Sequence, residues 1–270
     1  MKGYPRLRRW LDGLFPGRPL RVLFIGNSLT YYQASTAGET LVLNDLPGLL
    51  VRMSQSRGER RILEADKITE DAASLGEHCI SQLVEEALRP RAWDYVVLQE
   101  NSERALSHEA VTRRDARRLD ARIRTVGSRN ALFSTWTAGD HPESGPRAAI
   151  FYAELASELG ALLVPVAQAW HEAARVRPDL RLRMADGIHP GPLGTYLSAC
   201  VFYACLYGES LEADDARAVR DDLAAVQELR RSHLRLAAGT CGIGSSAGAG
   251  PEVSENDLGF LRAVARAVCG

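Results

Sequence analysis

The sequence predicts an α/β fold of three layers, in which helices cover both faces of a doubly wound parallel sheet of five strands. Five short apolar runs alternate along the chain with segments of helical periodicity. The runs 22–25 and 95–98 are continuous in their apolar character, which is typical of strands buried on both faces. The predicted strands are residues 22–25, 61–65, 95–98, 131–135 and 162–166.

Several of the predicted helices are marked by start or stop signals. Asp45 is placed as an N-cap, and Pro47 falls in the first turn of the first helix. Pro90 ends the second helix, because proline disfavours helical backbone in the residue before it. Ser254 and Asp257 form a capping box ahead of the last helix. The predicted helices span residues 46–53, 75–88, 113–126, 148–159, 193–207 and 258–268.

The length and composition fit a single domain over residues 1–270. Of the 270 residues, 46% are hydrophobic, which is enough to bury a large core. Residues 1–20 are expected to form an N-terminal extension, and residues 239–253 a Gly/Ser-rich loop before the final helix. The formal net charge of -1 argues against nucleic acid or an anionic membrane surface as a partner.

Two further classes of site are disfavoured by residue spacing. The five cysteines are odd in number and include no C-x-x-C pair, which argues against a disulfide framework and a zinc ribbon. His108 and His171 each begin an H-E-x-x-H pattern, but Thr112 and Arg175 occupy the positions of its second histidine. We therefore expect no metal site and no other cofactor.

The N-terminal segment lacks the pattern of a secretory leader. Asp12, Gly13, Pro16 and Gly17 interrupt what would have to be its apolar core. No window reaches the roughly 18 apolar residues of a membrane span. We expect a cytoplasmic protein, although a secreted chain that had lost its leader would give the same pattern.

Hydroxyl, imidazole and carboxylate groups occur where a hydrolytic site would need them. Ser28 follows the first predicted strand, at the sheet edge where ligands of open α/β folds collect. Asp186 and His189 lie three residues apart in a Gly/Pro-containing loop before the helix at 193–207. These are the three parts of a hydrolytic triad. The alternative is that Ser28 is only the N-cap of an ordinary strand-to-helix turn.

A second serine pattern is a weaker candidate for the nucleophile. Residues 244–248 match G-x-S-x-G, but no predicted strand precedes them and no sharp strand-to-helix turn is implied. We interpret this match as a coincidental one within the Gly/Ser-rich loop, with no catalytic role.

Four segments in order along the chain resemble the sequence blocks of the SGNH (GDSL-type) hydrolases. They are Gly26-Asn27-Ser28-Leu29-Thr30, then Ala73-Ser74-Leu75 with His78, then Val97-Leu98-Gln99-Glu100-Asn101-Ser102, and Asp186-Gly-Ile-His189-Pro190 with Gly194-Thr-Tyr-Leu197. The resemblance runs from about residue 21 to 207, and it is greatest to the subgroup whose first block reads Gly-Asn-Ser. It implies a flavodoxin-like fold and esterase, acylesterase or thioesterase chemistry without metal.

The resemblance also implies a role for each matched residue. Ser28 would be the nucleophile, His189 the general base and then acid, and Asp186 the carboxylate that orients the imidazole. The oxyanion hole would use the Ser28 N–H and a side-chain amide from the third block. Asn101 is our first choice for that amide and Gln99 the second, because related acetyl esterases carry the amide at the earlier position.

The second block departs from the family pattern at the oxyanion hole. The family supplies a glycine N–H there, whereas alignment on Ala73-Ser74-Leu75 puts Ala72 at that position and Gly76 four residues later. Alanine keeps the donor but is expected to lose access to positive φ. Loss of one oxyanion donor typically costs about 10²–10³ in turnover. Whether Ala72 or Gly76 completes the hole stays open at this point.

The function expected from these residues is hydrolysis of a small acyl ester, with an O-acetyl group on a carbohydrate as the first choice of substrate. A lipid acyl group or a thioester is an open alternative, as are a non-catalytic binding module and an acyltransferase that uses the same residues. Tyr31, Tyr32, Trp136 and His141 are candidates to line the pocket or simply to pack. No feature of the sequence indicates the oligomeric state.

Overall fold

The structure, a computed structural model, describes residues 17–36, 38–89, 93–137, 144–208, 216–239 and 252–269. In chain order its elements are β1 Leu20–Gly26, β2 Tyr31–Thr36, β3 Glu39–Asp45, α1 Leu46–Ser56, β4 Leu63–Thr69, α2 Leu75–His78, α3 Gln82–Leu88, β5 Tyr95–Leu98, α4 Ser102–Ser107, α5 Glu109–Thr125, β6 Arg129–Phe133, α6 Ser144–Leu159, β7 Leu162–Val164, α7 Val166–Val176, α8 Pro192–Tyr207, α9 Ala216–Gly239 and α10 Glu255–Cys269.

Five strands form the predicted parallel sheet. Their order across it is β4-β1-β5-β6-β7, and every neighbouring pair is parallel. Counting only these strands along the chain, the order is 2-1-3-4-5, which is the flavodoxin-like doubly wound arrangement. The switch point lies beside β1, so the carboxyl end of β1 faces the crevice where ligands of such sheets bind. The predicted fold class is confirmed.

The two faces of the sheet are covered by separate apolar cores. Val22 and Phe24 of β1 join one core with residues of α1, α7, α8 and α10. The intervening Leu23 and Ile25 join the other with residues of α2, α3, α5 and α6. Because successive side chains of a strand point to opposite faces, a strand with no polar alternation requires this double cover.

Several predicted elements have different bounds in the structure, among them one strand and one helix. The second strand of the sheet runs Leu63–Thr69, later than the predicted residues 61–65. The single helix predicted over 75–88 is two helices, since the chain turns at Cys79 and Ser81 is extended with φ -72° and ψ 125°. Both helices bury residues on one side, so the apolar spacing continues across the break and does not reveal it.

Five of the described elements were not predicted from the sequence. They are the two strands of the β2–β3 hairpin, which is antiparallel and separate from the main sheet, and the helices α4, α7 and α9. The strand β2 alternates between exposed and half-buried residues, and its apolar content is too low to signal a strand. Its conformation is decided by contacts with β3 and α9.

Two predicted segments, the Gly/Ser-rich loop and the N-terminal extension, lie largely outside the described residues. Gly239 ends α9, and the rest of the predicted Gly/Ser-rich loop to residue 251 lies outside the described residues, together with Cys241 and the G-x-S-x-G match. The expected N-terminal extension is described only from residue 17. The cysteines at 79, 200, 205 and 269 are free thiols. Among the described helices, none has the length and apolar character needed to cross a membrane.

Candidate active site

The first predicted site residue lies in a tight turn at the carboxyl end of β1. Asn27 closes this turn, since its carbonyl accepts from the N–H groups of Thr30 and Tyr31 and its Oδ1 accepts from Leu29 N–H at 3.1 Å. Its Nδ2 donates to Ala73 O at 2.9 Å, which ties the turn to the loop after β4. Ser28 is thereby held at the sheet edge, 7% exposed.

Gln99 supports the turn from below. Its side chain is fully buried, and its Oε1 accepts from Asn27 N–H at 2.8 Å and from the Thr30 hydroxyl at 3.1 Å. Its Nε2 donates to Asn27 Oδ1 at 2.9 Å and to Glu100 O at 2.7 Å. A Cβ on Gly26 would lie 2.4 Å from Gln99 Oε1, so glycine at the end of β1 makes room for this amide. Both amide hydrogens of Gln99 are therefore engaged inside the protein.

The structure brings Ser28, His189 and Asp186 together, although Ser28 and His189 are 161 positions apart in the sequence. Ser28 Oγ lies 2.9 Å from His189 Nε2, and His189 Nδ1 lies 2.8 Å from Asp186 Oδ2. A carboxylate only accepts, so Nδ1 carries the proton and Nε2 accepts from the Ser28 hydroxyl. This tautomer leaves Nε2 free to take the serine proton.

The Asp186 carboxylate is held by its own loop. Its Oδ1 accepts from the N–H groups of Ile188 at 2.8 Å and His189 at 2.9 Å. Partial burial would raise the pKa of Asp186, but the hydrogen bonds from Ile188 and His189 outweigh it and lower the pKa below its ordinary value. The group is therefore ionised beside the imidazole at neutral pH.

Trp136 fixes the loop that carries His189. Its Nε1 donates to Ile188 O at 2.9 Å, and its ring stacks on Trp170 with centroids 3.6 Å apart. Gly194, in the first turn of α8, allows this packing, because a Cβ there would lie 2.6 Å from the Trp170 ring and 2.1 Å from Leu182 O. The predicted pocket candidate Trp136 thus acts as a support for the histidine loop.

Two of the predicted oxyanion residues, Ala72 and Asn101, are in contact at the loop after β4. Ala72 has φ +58°, and among the described residues it is the only non-glycine residue with positive φ. The expectation that alanine loses access to this conformation is wrong. Asn101 Nδ2 donates to Ala72 O at 3.0 Å and so holds the loop in place, while Asn101 Oδ1 caps α4 by accepting from Glu103 N–H. The left-handed backbone costs an alanine about 1 kcal/mol.

Two backbone donors near the serine are unused by the protein. Within the described part of the chain, neither the Ser28 N–H nor the Ala72 N–H has a hydrogen-bond acceptor. Gly76, the alternative to Ala72, lies within the short helix α2, and a Cβ there would lie 2.9 Å from Asp115 Oδ2. Its glycine identity is therefore explained by helix packing against Asp115.

Several solved structures have the same architecture. A protein from Slackia heliotrinireducens that is assigned to the SGNH hydrolases is 27% identical, with 70% of this chain and 100% of that chain covered and a TM-score of 0.57. The chain belongs to the SGNH hydrolase superfamily. A DUF4886 family protein from Bacteroides uniformis is 17% identical, with 80% of this chain and 95% of that chain covered and a TM-score of 0.57.

Other SGNH-like structures are named by activity. A mutant acetyl-xylooligosaccharide esterase from a Geobacillus species is 14% identical, with 73% of this chain and 98% of that chain covered and a TM-score of 0.55. No protein-family model matches the sequence, and no curated protein sequence is similar to it. The similarities confirm the predicted superfamily and support an ester-hydrolysing enzyme, while the Gly-Asn-Ser subgroup stays a prediction.

Glu100 is a part of this SGNH site for which sequence reasoning gave no role. Its carboxylate is 2% exposed, and Oε1 accepts from Asn101 N–H at 2.7 Å and Leu75 N–H at 3.2 Å. Burial raises the pKa of Glu100, and the hydrogen bonds from Asn101 and Leu75 offset part of that rise. Glu100 joins the second and third sequence blocks. The sequence did offer one signal for Glu100, since an acidic residue directly after a buried strand and next to Gln99 is unusual.

Asn44 is a second residue that the sequence did not reveal. It is 1% exposed at the end of β3, and its Nδ2 donates to Ser28 O at 3.0 Å and Leu29 O at 2.9 Å. Thr195 of α8 donates to Asn44 Oδ1 at 3.0 Å. No signal pointed to Asn44, because the hairpin that carries it was itself not predicted.

The other predicted pocket candidates differ in whether they contact the candidate site. The Tyr32 ring stacks on the His189 imidazole, with centroids 4.5 Å apart and planes 10° from parallel. Tyr31 instead contacts Lys67, whose Nζ lies 4.1 Å from the ring centroid. His141 lies outside the described residues. In the ranges that the structure covers, no three His, Cys, Asp or Glu side chains group as a metal site would need.

Proposed function

We propose that this protein is a serine esterase that hydrolyses small acyl esters through Ser28, His189 and Asp186, with no metal in the reaction. The observation that carries the proposal is the pair of hydrogen bonds, 2.9 Å and 2.8 Å long, that joins the three side chains in the order hydroxyl, imidazole, carboxylate. A hydroxyl is a poor nucleophile at neutral pH, whereas an imidazole within hydrogen-bond reach can take its proton as it attacks.

In the first half-reaction Ser28 Oγ attacks the ester carbonyl carbon and passes its proton to His189 Nε2. The tetrahedral intermediate then collapses, the bond from carbon to the alcohol oxygen breaks, and His189 returns the proton to the departing alkoxide. In the second half-reaction water gives a proton to His189 and attacks the acyl carbonyl. Ser28 leaves with that proton and the carboxylic acid is released.

The oxyanion of both intermediates would be bound by the N–H groups of Ser28 and Ala72 and by the Asn101 amide. The two N–H groups are without acceptors in the described chain, and Asn101 Nδ2 uses one hydrogen on Ala72 O and has a second to donate. This supports Asn101 over Gln99, whose two hydrogens are both engaged. Asn101→Ala should lower kcat about 10²–10³-fold.

The substrate we propose is a short acyl ester, with an O-acetyl group on a carbohydrate as the first candidate. Support comes from structural neighbours named as an acetyl-xylooligosaccharide esterase and an acetyl xylan esterase. Acetate release from acetylated xylo-oligosaccharides, compared with octanoyl esters and acetyl thioesters, tests this choice. A kcat/KM that is highest for the octanoyl ester or the thioester would overturn it.

The test of the activity compares Ser28→Ala with Ser107→Ala, an exposed serine of α4 that lies outside the site. Ser28→Ala should abolish hydrolysis of p-nitrophenyl acetate and labelling by a fluorophosphonate, while Ser107→Ala leaves both unchanged. Unchanged labelling of the Ser28→Ala protein would place the nucleophile elsewhere. A wild-type protein that releases no p-nitrophenol and takes no fluorophosphonate label would be a binding module, and ester products with added alcohol would identify an acyltransferase.

A further inference from the structure

The β2–β3 hairpin touches both partners of the proposed proton transfer. Tyr32 of β2 and Asn44 of β3 are paired across the hairpin. Asn44 binds the backbone of the serine, with Nδ2 3.0 Å from Ser28 O. Tyr32 covers the imidazole, with ring centroids 4.5 Å apart. One cross-strand pair thus spans from the nucleophile to the base.

A β-bulge sets the direction of this pair. Tyr32 pairs with Asn44 but Gln33 pairs with Val42, so Leu43 is an extra residue on β3. A bulge twists a hairpin locally and redirects the side chains beside it. The Leu43 side chain is fully buried, and its carbonyl accepts from His233 Nε2 of α9 at 2.8 Å. The bulge is therefore stabilised by a specific hydrogen bond from another element.

The imidazole of His189 has a particular need for contact on its face. Its two nitrogens are bonded at the ring edge, to Ser28 and Asp186, and its side chain is 22% exposed. Once Ser28 is acylated, its hydroxyl no longer donates to Nε2, and the edge keeps only the bond to Asp186. A ring held by one edge bond and no face contact is free to tilt away from the attacking water.

We propose that Tyr32 is a positioning residue that holds the His189 imidazole in plane through both half-reactions. The inference rests on the proposed function for its kinetic consequences. A stacked aromatic ring restricts tilting, and its π face also favours the imidazolium that forms when His189 takes the serine proton. Both effects require the ring of Tyr32 and neither requires its hydroxyl.

The kinetic test uses Tyr32→Leu, Tyr32→Phe and the neighbouring control Gln33→Leu. Tyr32→Leu should slow fluorophosphonate labelling and lower kcat by about three- to tenfold, with KM changed less than twofold. Tyr32→Phe should restore at least half of the wild-type rates, and Gln33→Leu should match wild type. Wild-type labelling in Tyr32→Leu, a rise in KM alone, or a Tyr32→Phe protein as slow as Tyr32→Leu would overturn the proposal.

A second readout separates this proposal from the proposed function. In protein made with ¹³C-labelled histidine, the His189 ring resonance is assigned by its loss in His189→Gln. Tyr32→Leu should shift that resonance and increase ring mobility by NMR relaxation, whereas Tyr32→Phe should not. A wild-type protein with no labelling but with these NMR changes would refute the esterase and keep the positioning role. Unchanged ring mobility in Tyr32→Leu would refute the positioning role.

Discussion

The two sides of the candidate site are held in different ways. The serine lies on a turn fixed by three buried amide side chains, those of Asn27, Gln99 and Asn44. The histidine lies on a loop near the surface, where Asp186 is 40% exposed and Trp136 supplies the supporting hydrogen bond. Buried amides are costly to remove because they leave unsatisfied partners, whereas exposed groups are replaced by water. Removing a hydrogen-bonded side chain on the serine side should therefore affect stability and activity together, and removing one on the histidine side should affect mainly activity.

The largest effect on activity alone is expected from Asp186→Asn. Asparagine keeps an oxygen for the N–H groups of Ile188 and His189, but its NH₂ cannot accept from His189 Nδ1–H. The imidazole would then adopt the other tautomer and present Nε2–H to Ser28, so kcat/KM should fall about 10³–10⁴-fold. Kinetics with p-nitrophenyl acetate and urea unfolding measure the two consequences. A loss below tenfold, or a large loss of stability, would contradict the comparison.

The next effect in size is expected from Gln99→Leu. Leucine has a similar volume but leaves Asn27 N–H and the Thr30 hydroxyl buried without their acceptor. The free energy of unfolding should fall by about 2–4 kcal/mol, together with activity.

The matched control is Gln82→Leu on the exposed face of α3, which should change neither quantity. Urea unfolding and esterase assays follow both variants. Lost activity at unchanged stability in Gln99→Leu would instead make Gln99 the oxyanion donor.

A smaller effect, of opposite sign on the two sides, is expected from the left-handed residues. Ala72 has φ +58° beside the serine turn, and Gly187 has φ +72° in the histidine loop with nothing within 4 Å of its missing Cβ. Ala72→Gly should raise the free energy of unfolding by about 1 kcal/mol, and Gly187→Ala should lower it by about the same amount. Urea unfolding of both variants measures the pair. Equal signs would mean that one of the loops relaxes its backbone.

The smallest effect concerns Glu100 and depends on pH. Because burial raises the pKa of Glu100, the native state binds more protons than the unfolded state at pH values between the ordinary and the raised value. Stability from this group is therefore present at low pH and is lost as the pH rises through that window. Glu100→Gln keeps an acceptor for Asn101 N–H and Leu75 N–H without the charge.

The Glu100→Gln protein should accordingly be more stable than wild type at pH 8, with little difference near pH 4. Urea unfolding at the two pH values makes the comparison. A difference that grows toward low pH would show that the carboxylate is stabilised by its hydrogen bonds more than it is penalised by burial.

Much of the site could be predicted because its parts are local patterns. The triad residues lie in short segments whose residue types and order carry the resemblance, and the Asp186 to His189 spacing is itself a local hydrogen-bonded loop. The break at Ser81 within the predicted helix 75–88 could not be predicted in this way, because the apolar spacing continues across it. The hairpin could not be predicted because the apolar content of β2 is too low. The left-handed conformation of Ala72 could not be predicted either, because alanine disfavours it. The hydrogen bonds that hold this loop come from Asn101 and Asn27, which are far from Ala72 in the sequence.

The sequence by itself predicted the sheet and singled out the three side chains that meet in the candidate site. A continuous apolar run such as 22–25, in a chain where such runs alternate with helical segments, predicts a strand covered on both faces, and a serine that follows it then lies at the carboxyl edge of the sheet. The tertiary structure decided how those groups are held. Gln99, Glu100, Asn44 and Tyr32 each act on a residue at least 15 positions away or across another element. Such contacts depend on which surfaces meet after folding, and periodicity along the chain carries no record of them.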